Sequence, residues 1–212
     1  MVQAILFDFW GTLAEAGVWS PVKQVKNILG VKLPFSEYVI KMEKVLMTQK
    51  FTDLREAFTK VCNEFNVEPT EEVLEELIGV WNKSWMLAAP YEEVVETLQK
   101  LRENYQIILV SNTDCFAINK VLEKFGLTTL FDKMFFSYDL GMLKTDRGFF
   151  LKVMSEMNLN VNDCVMVGDS IQSDIMAAKA LGMKAILIDR KNTREFHPKI
   201  KSLREVEKII EH

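Results

Sequence analysis

Val2-Gln3-Ala4-Ile5-Leu6-Phe7-Asp8-Phe9-Trp10-Gly11-Thr12-Leu13 is a short apolar run that meets a carboxylate and then a glycine. Apolar residues at nearly every position, rather than at alternate ones, are the pattern of a strand covered on both faces. The strand is expected over Val2–Phe9, and four later runs share its character: Ile107–Val110, Met134–Phe136, Val165–Val167 and Ala185–Ile188. Helical segments separate the later runs. Glu92–Arg102 places Val94, Val95, Leu98 and Leu101 at helical spacing, Phe116–Phe125 stops at Gly126, and Ser173–Leu181 stops at Gly182. Strand–helix alternation of this kind predicts an α/β protein with a doubly wound parallel sheet.

Between the first strand and Pro90 the periodicity is helical only, from about residue 19 to 88. Val39, Met42, Val45 and Leu46 mark one helix, Leu54, Ala57, Phe58 and Val61 a second, and Val73, Leu74, Leu77 and Ile78 a third. Phe51-Thr52-Asp53 and Asn66–Thr70 are the expected turns, and Glu71 and Glu72 suit a first helical turn. The expected organisation is therefore a core of residues 1–14 and 89–212 with a separate helical lobe of residues 15–88.

Apolar residues make up 49% of the 212 and charged ones 26%, the balance of a globular protein able to fold without disulfides or structural metal. A net charge of −4 gives no general attraction to nucleic acid or to an anionic membrane, and neither is expected as a partner. Cys62, Cys115 and Cys164 are dispersed and lack CxxC spacing, which fits reduced thiols. The N-terminal run has no basic segment before it, and no stretch approaches the ~18 apolar residues of a membrane span, so the expected location is the cytoplasm.

Polar residues gather where the strands end. Asp8 closes the first strand, Ser111 the second, Asp169 follows Val165–Val167, and Lys144 lies on the loop after the third. Each has an ordinary explanation: Asp8 and Asp169 as turn residues, Ser111 as a helix cap, Asp174 as a first-turn acid, Lys144 as a surface lysine. All five explanations would have to hold at one end of one sheet, which is where open α/β sheets bind ligands. Asp169 and Asp174 stand about 140° apart on an ideal helix, so they converge only if Asp169 precedes it.

These residues resemble, in order and spacing, the four motifs of the haloacid dehalogenase superfamily. The motifs stand as Asp8-Phe9-Trp10-Gly11-Thr12-Leu13, Ser111-Asn112, Lys144, and Gly168-Asp169-Ser170 with Asp174. The resemblance covers nearly the whole chain, and the helical insertion is similar to the family's C1-type cap. It implies a Rossmann-like core, a mobile cap and a covalent intermediate on Asp8. It further implies Mg2+ held by Asp8, Asp169 and the backbone carbonyl of Trp10, with Asp174 as a nearby or water-mediated ligand. Thr12, Ser111, Asn112 and Lys144 would bind the phosphate. A cation of this kind offsets the repulsion between a carboxylate nucleophile and a phosphoryl group.

One position departs from the pattern. Phosphatases of the superfamily carry an aspartate two residues after the nucleophile as general acid and base, and Trp10 stands there instead. Losing such a group costs about 10²–10⁴-fold in rate, and no replacement is assigned from sequence. The superfamily's dehalogenases have an aromatic residue there and need no metal, but the acidic fourth motif would be wasted in them. The expected function is thus Mg2+-dependent hydrolysis of a small phosphate monoester. A metal-independent 2-haloacid dehalogenase and a weakly catalytic or non-catalytic phosphometabolite-binding protein stand as alternatives. The partner is expected to be a small phosphorylated metabolite and the protein a monomer or homodimer. Trp10 is expected to wall the site, and Trp19, Trp81 and Trp85 to pack within the cap or its hinge. Cys115 is expected as a packed thiol, and neither His197 nor His212 as a metal ligand.

Overall fold

The computed structural model describes residues 2–211. Strand β1 (Ala4–Phe7) leads through a tight turn into β2 (Ala14–Glu15). Four helices follow: α1 (Pro21–Ile28), α2 (Phe35–Met47), α3 (Leu54–Glu64) and α4 (Glu71–Met86). The chain re-enters through β3 (Ala89–Pro90), which pairs antiparallel with β2. It then alternates: α5 (Val94–Leu101), β4 (Gln106–Ser111), α6 (Ile118–Lys124), β5 (Lys133–Phe136), α7 (Ser137–Leu140) and α8 (Arg147–Met157). Next come β6 (Cys164–Gly168), a π-helical segment (Ile171–Met176), α9 (Ala177–Lys179), β7 (Lys184–Ile188), β8 (Lys199–Ile200) and α10 (Val206–Ile210).

Six strands form one parallel sheet in the order β5-β4-β1-β6-β7-β8. Strand β1 is central, with Phe7 level with Leu109 of β4 and Val167 of β6. The order runs outward from β1 in both directions, so its carboxyl end opens into the crevice where the sheet changes sense. Successive side chains point to opposite faces, and both faces are covered. Ile5, Phe7, Ile107, Leu109, Val165 and Val167 pack beneath α5, α6 and α10, while Leu6, Ile108, Val110 and Met166 pack beneath α8 and α9. Burial on both sides is the reason that these strands read as unbroken apolar runs.

The first strand is shorter than Val2–Phe9. Phe9 belongs to the turn, where its carbonyl accepts from the amides of Leu13 and Ala14 at 2.8 and 3.0 Å. On α5, Val94, Leu98 and Leu101 face the core, but Val95 is 41% exposed, contrary to its assignment to that face. Strands β2, β3 and β8, two residues each, are too short to give a periodic signal.

Helices α1–α4 have an apolar cluster of their own, built on Tyr38, Met42, Leu46, Phe58, Leu77 and Trp81. Each fully buried side chain of this kind contributes roughly 1.5–3 kcal/mol. The expected turns cap the helices: Asp53 Oδ1 accepts from the Glu56 amide at 2.8 Å, and Thr70 Oγ1 from the Val73 amide at 3.4 Å. Among the described residues no helix is long and apolar enough to cross a membrane.

Candidate active site

Asp8 stands one residue beyond β1, and its amide still bonds the Val167 carbonyl at 3.0 Å. The strand ladder therefore fixes its backbone, and the side chain is buried. Oδ1 accepts from Lys144 Nζ at 2.5 Å and Oδ2 from Thr12 Oγ1 at 3.3 Å. The turn after Asp8 needs glycine at position 11 for two reasons. Its φ is +78°, and a Cβ there would lie 2.5 Å from Asp169 Oδ2.

Asp169 follows β6 and precedes the helical segment, as convergence with Asp174 requires. Ser170 caps that segment through Ser173, and its own amide donates to Asp174 Oδ2 at 2.9 Å. Asp174 is wholly buried, and its Oδ1 accepts from Lys144 Nζ at 2.5 Å. Gly168 makes room for it: a Cβ at position 168 would lie 2.2 Å from Asp174 Oδ2. Asp8, Asp169 and Asp174 each offer an oxygen within 4.8 Å of the others.

Lys144 is 2% exposed, so it is no surface lysine. Burial works against its ammonium, but Asp174 and Asp8 outweigh that and hold its pKa above the ordinary value. Burial pushes the Asp8 carboxyl up to about 8 against the pull of Lys144, with Asp174 and Asp169 adding to the push. Asp169 is raised to about 6 by burial and by Asp174, against Arg194 and Lys144. Asp8 and Asp174 thus share one lysine, with Asp169 beside them. An all-oxygen set of carboxylates suits a hard cation such as Mg2+, which takes oxygen ligands and commonly keeps several waters. The residues fit such an ion.

Ser111 is fully buried at the end of β4, its Oγ donating to the Asn112 carbonyl at 3.4 Å. Asn112 joins three elements: Oδ1 accepts from the Lys144 amide at 2.9 Å, and Nδ2 donates to Glu43 Oε2 on α2 at 3.1 Å. Next along the chain, Asp114 accepts from the Phe116 and Ala117 amides at 2.7 and 3.0 Å and from Trp81 Nε1 on α4 at 3.0 Å. Two carboxylates, one from each side, therefore tie the helical insert to the loop after β4.

Above these strand ends lies a cavity of about 860 Å3, lined by Trp10, Glu43, Asn112, Asp169, Arg190 and Arg194 among others. Trp10 is a wall, as expected, with its Nε1 donating to Thr113 Oγ1 at 3.3 Å. Trp81 is buried in the insert, and Trp85 packs on the sheet-covering cluster. Trp19 does not pack: it is 72% exposed at the cavity rim. Cys115 is half-buried, with its thiol reaching toward the Phe51 carbonyl. His197 lies outside the acidic cluster, and His212 lies outside the described residues.

Sequence reasoning missed Glu43, Asp114 and Arg194. Glu43 sits beside Met42 in a stripe that reads as helix core, and nothing in its spacing marks it as facing the strand ends. Arg194, which donates to the Asp169 carbonyl, lies in an irregular stretch without periodicity.

The chain is 26% identical to the glyceraldehyde 3-phosphate phosphatase of Methanocaldococcus jannaschii over 201 residues, 89% of this chain and 85% of that one. In fold it is similar to an HAD phosphatase from Thermococcus onnurineus, with 22% identity, 99% and 98% of the two chains covered and a TM-score of 0.65. It is equally similar to a 2-haloacid dehalogenase from Pseudomonas syringae pv. Tomato, with 17% identity, 100% and 99% covered and a TM-score of 0.67. Two chemistries share this architecture, so the fold alone does not choose between them. The family model of the haloacid dehalogenase-like hydrolases matches residues 2–182, and the chain belongs to that family of hydrolases.

Proposed function

We propose that the protein is a Mg2+-dependent phosphatase that hydrolyses a small phosphate monoester through an aspartyl-phosphate on Asp8. The observation that carries this reading is the meeting of Asp8, Asp169 and Asp174, from two different strand ends, within 4.8 Å of one another. Displacement of halide would have no use for such a cluster. The phosphatase name of the Methanocaldococcus jannaschii relative points the same way.

In this reading Asp8, Asp169 and the Trp10 carbonyl hold the ion, with Asp174 close by. Bound Mg2+ would neutralise phosphate charge and so allow one anion to approach another. Asp8 Oδ attacks phosphorus, Thr12 and Lys144 hold the attacking carboxylate in place, and Lys144 offsets charge on the phosphoryl oxygens. Ser111 and Asn112 donate to those oxygens, and water then cleaves the acyl phosphate to restore Asp8. Residues 15–88 act as the cap over a core of 1–14 and 89–212, excluding bulk water and contacting the alcohol part of the substrate. The three free thiols suit the cytoplasm.

Hydrolysis of p-nitrophenyl phosphate in Mg2+ and in EDTA, beside chloride release from 2-chloropropionate, tests the reading. Turnover of the phosphate ester in Mg2+ and its loss in EDTA are expected. Metal-independent chloride release without phosphatase activity would overturn it. Silence in both assays, with thermal stabilisation by sugar phosphates, would favour a binding protein.

A further inference from the structure

An alkoxide leaving phosphorus needs a proton, and Trp10 cannot give one. Five carboxylates line the cavity: Glu15, Glu43, Asp114, Asp169 and Asp189. Glu15 is exposed to solvent. Asp114 is spent on three donors. Asp169 belongs to the acidic cluster beside Asp8. In Asp189, burial opposes ionisation, but the Arg194 and Thr193 amides and Lys199 hold the carboxyl below its ordinary range, so it carries no proton to give.

Glu43 differs from all four. It is half-buried on α2 in the cavity lining, and among the described residues its one side-chain hydrogen bond is the donation from Asn112 Nδ2 to Oε2. Among the described residues no ion pair holds it, so Oε1 is left to carry a proton. Resting on the phosphatase reading above, we propose that Glu43 is the general acid that protonates the leaving alcohol, delivered to the strand ends by the helical insert.

In the first step the Asp8 Oδ–P bond forms, the P–O bond to the alcohol breaks, and the Glu43 proton passes to the departing oxygen. In the second, water attacks phosphorus, its proton passes to the Glu43 carboxylate, the Asp8–P bond breaks, and inorganic phosphate leaves. Each cycle returns Glu43 protonated. Asn112 aims the carboxyl and couples it to the Lys144 loop, so the acid is in place only when the insert is closed. Burial pushes the Glu43 carboxyl up to about 7, against the Asn112 hydrogen bond and the Lys144 charge, with Asp174 adding a little. A value near working pH is suited to giving and taking a proton. The charged groups facing it are Lys144 from the loop after α7 and Asp174 from the segment after β6.

Phenyl phosphate and p-nitrophenyl phosphate test this, because their shapes are alike and only the first has a leaving group in need of a proton. Glu43→Gln is expected to lower kcat/KM on phenyl phosphate by about 10²-fold or more, and on the nitrophenyl ester by less than tenfold. Wild-type kcat/KM on phenyl phosphate should fall above about pH 7, and this limb should be absent in the variant. Glu43→Asp, which keeps a proton donor, should recover part of the loss. An equal loss on both esters, no loss on either, or a limb that persists in Glu43→Gln would overturn the inference. Should Glu43→Gln not fold, the wild type still decides: the limb must appear with phenyl phosphate and weaken with the nitrophenyl ester. A wild type inactive on both esters in Mg2+ would instead overturn the phosphatase reading, and this inference with it.

Discussion

Lys144 bonds Asp8 and Asp174 at once, and all three side chains are almost wholly out of water. Such a triad is costly to assemble and costlier to break at the lysine, because removing Lys144 leaves two buried carboxylates without a partner. Lys144→Met, measured by urea denaturation in EDTA, should lose about 3–5 kcal/mol of stability. A loss no larger than that of a surface substitution would contradict the triad. Asp8→Asn replaces one carboxyl but leaves Lys144 paired with Asp174, so the variant should melt like the wild type while releasing no phosphate. Gly168→Ala drives a methyl against the pinned Asp174 carboxylate. A cost of about 1–3 kcal/mol is expected, together with weaker Mg2+ binding by calorimetry; a variant with unchanged Mg2+ affinity would show that Asp174 lies clear of the metal. At this scale the sequence was readable wherever a candidate site residue ended a strand. Asp8 and Asp169 interrupt apolar runs and stand out. Glu43 interrupts nothing, because a polar residue beside Met42 is what any amphipathic helix shows, and its role depends on where the helix is docked.

The elements were legible in proportion to their length and to the number of faces they bury. Strands β1, β4, β6 and β7 are covered on both sides and read as apolar runs. Strand β8 has two residues, Lys199 and Ile200, and is defined by hydrogen bonds to β7 rather than by any pattern. The helix expected over Ser173–Leu181 begins earlier, at Ile171, with a wide π-helical turn that brings Asp174 back under Lys144. Apolar spacing does not report such a turn. Helix α4 is anchored by the bond from Trp81 to Asp114, a neutral donor to a carboxylate in a buried setting. Trp81→Phe keeps most of the ring contact with Phe58 and removes the donor. It should cost about 1.5–3 kcal/mol by chemical denaturation. A neutral outcome would mean that water replaces the indole, and that α4 is held by apolar packing alone.

For the molecule as a whole, the sheet supplies two acidic strand ends, and the insert supplies a roof carrying Glu43 and Trp81. The run of helices between β2 and β3 was visible from the change in periodicity near residues 19 and 88. The contacts that close the roof were not, since each joins residues distant in sequence. If the acidic cluster holds Mg2+, the ion should stabilise the fold, and raise its melting temperature, as its concentration rises; the gain is about 2.7 kcal/mol at a hundred times its dissociation constant. Asp169→Asn should remove most of that gain; an undiminished gain would put the ion elsewhere. The most direct test is acid quenching of the enzyme during turnover of p-nitrophenyl phosphate with Mg2+, followed by peptide mass spectrometry. One phosphoryl group on the peptide carrying Asp8, absent in Asp8→Asn and in EDTA, is the expected result. Steady turnover with no phosphorylated peptide, or with the group on another residue, would contradict it.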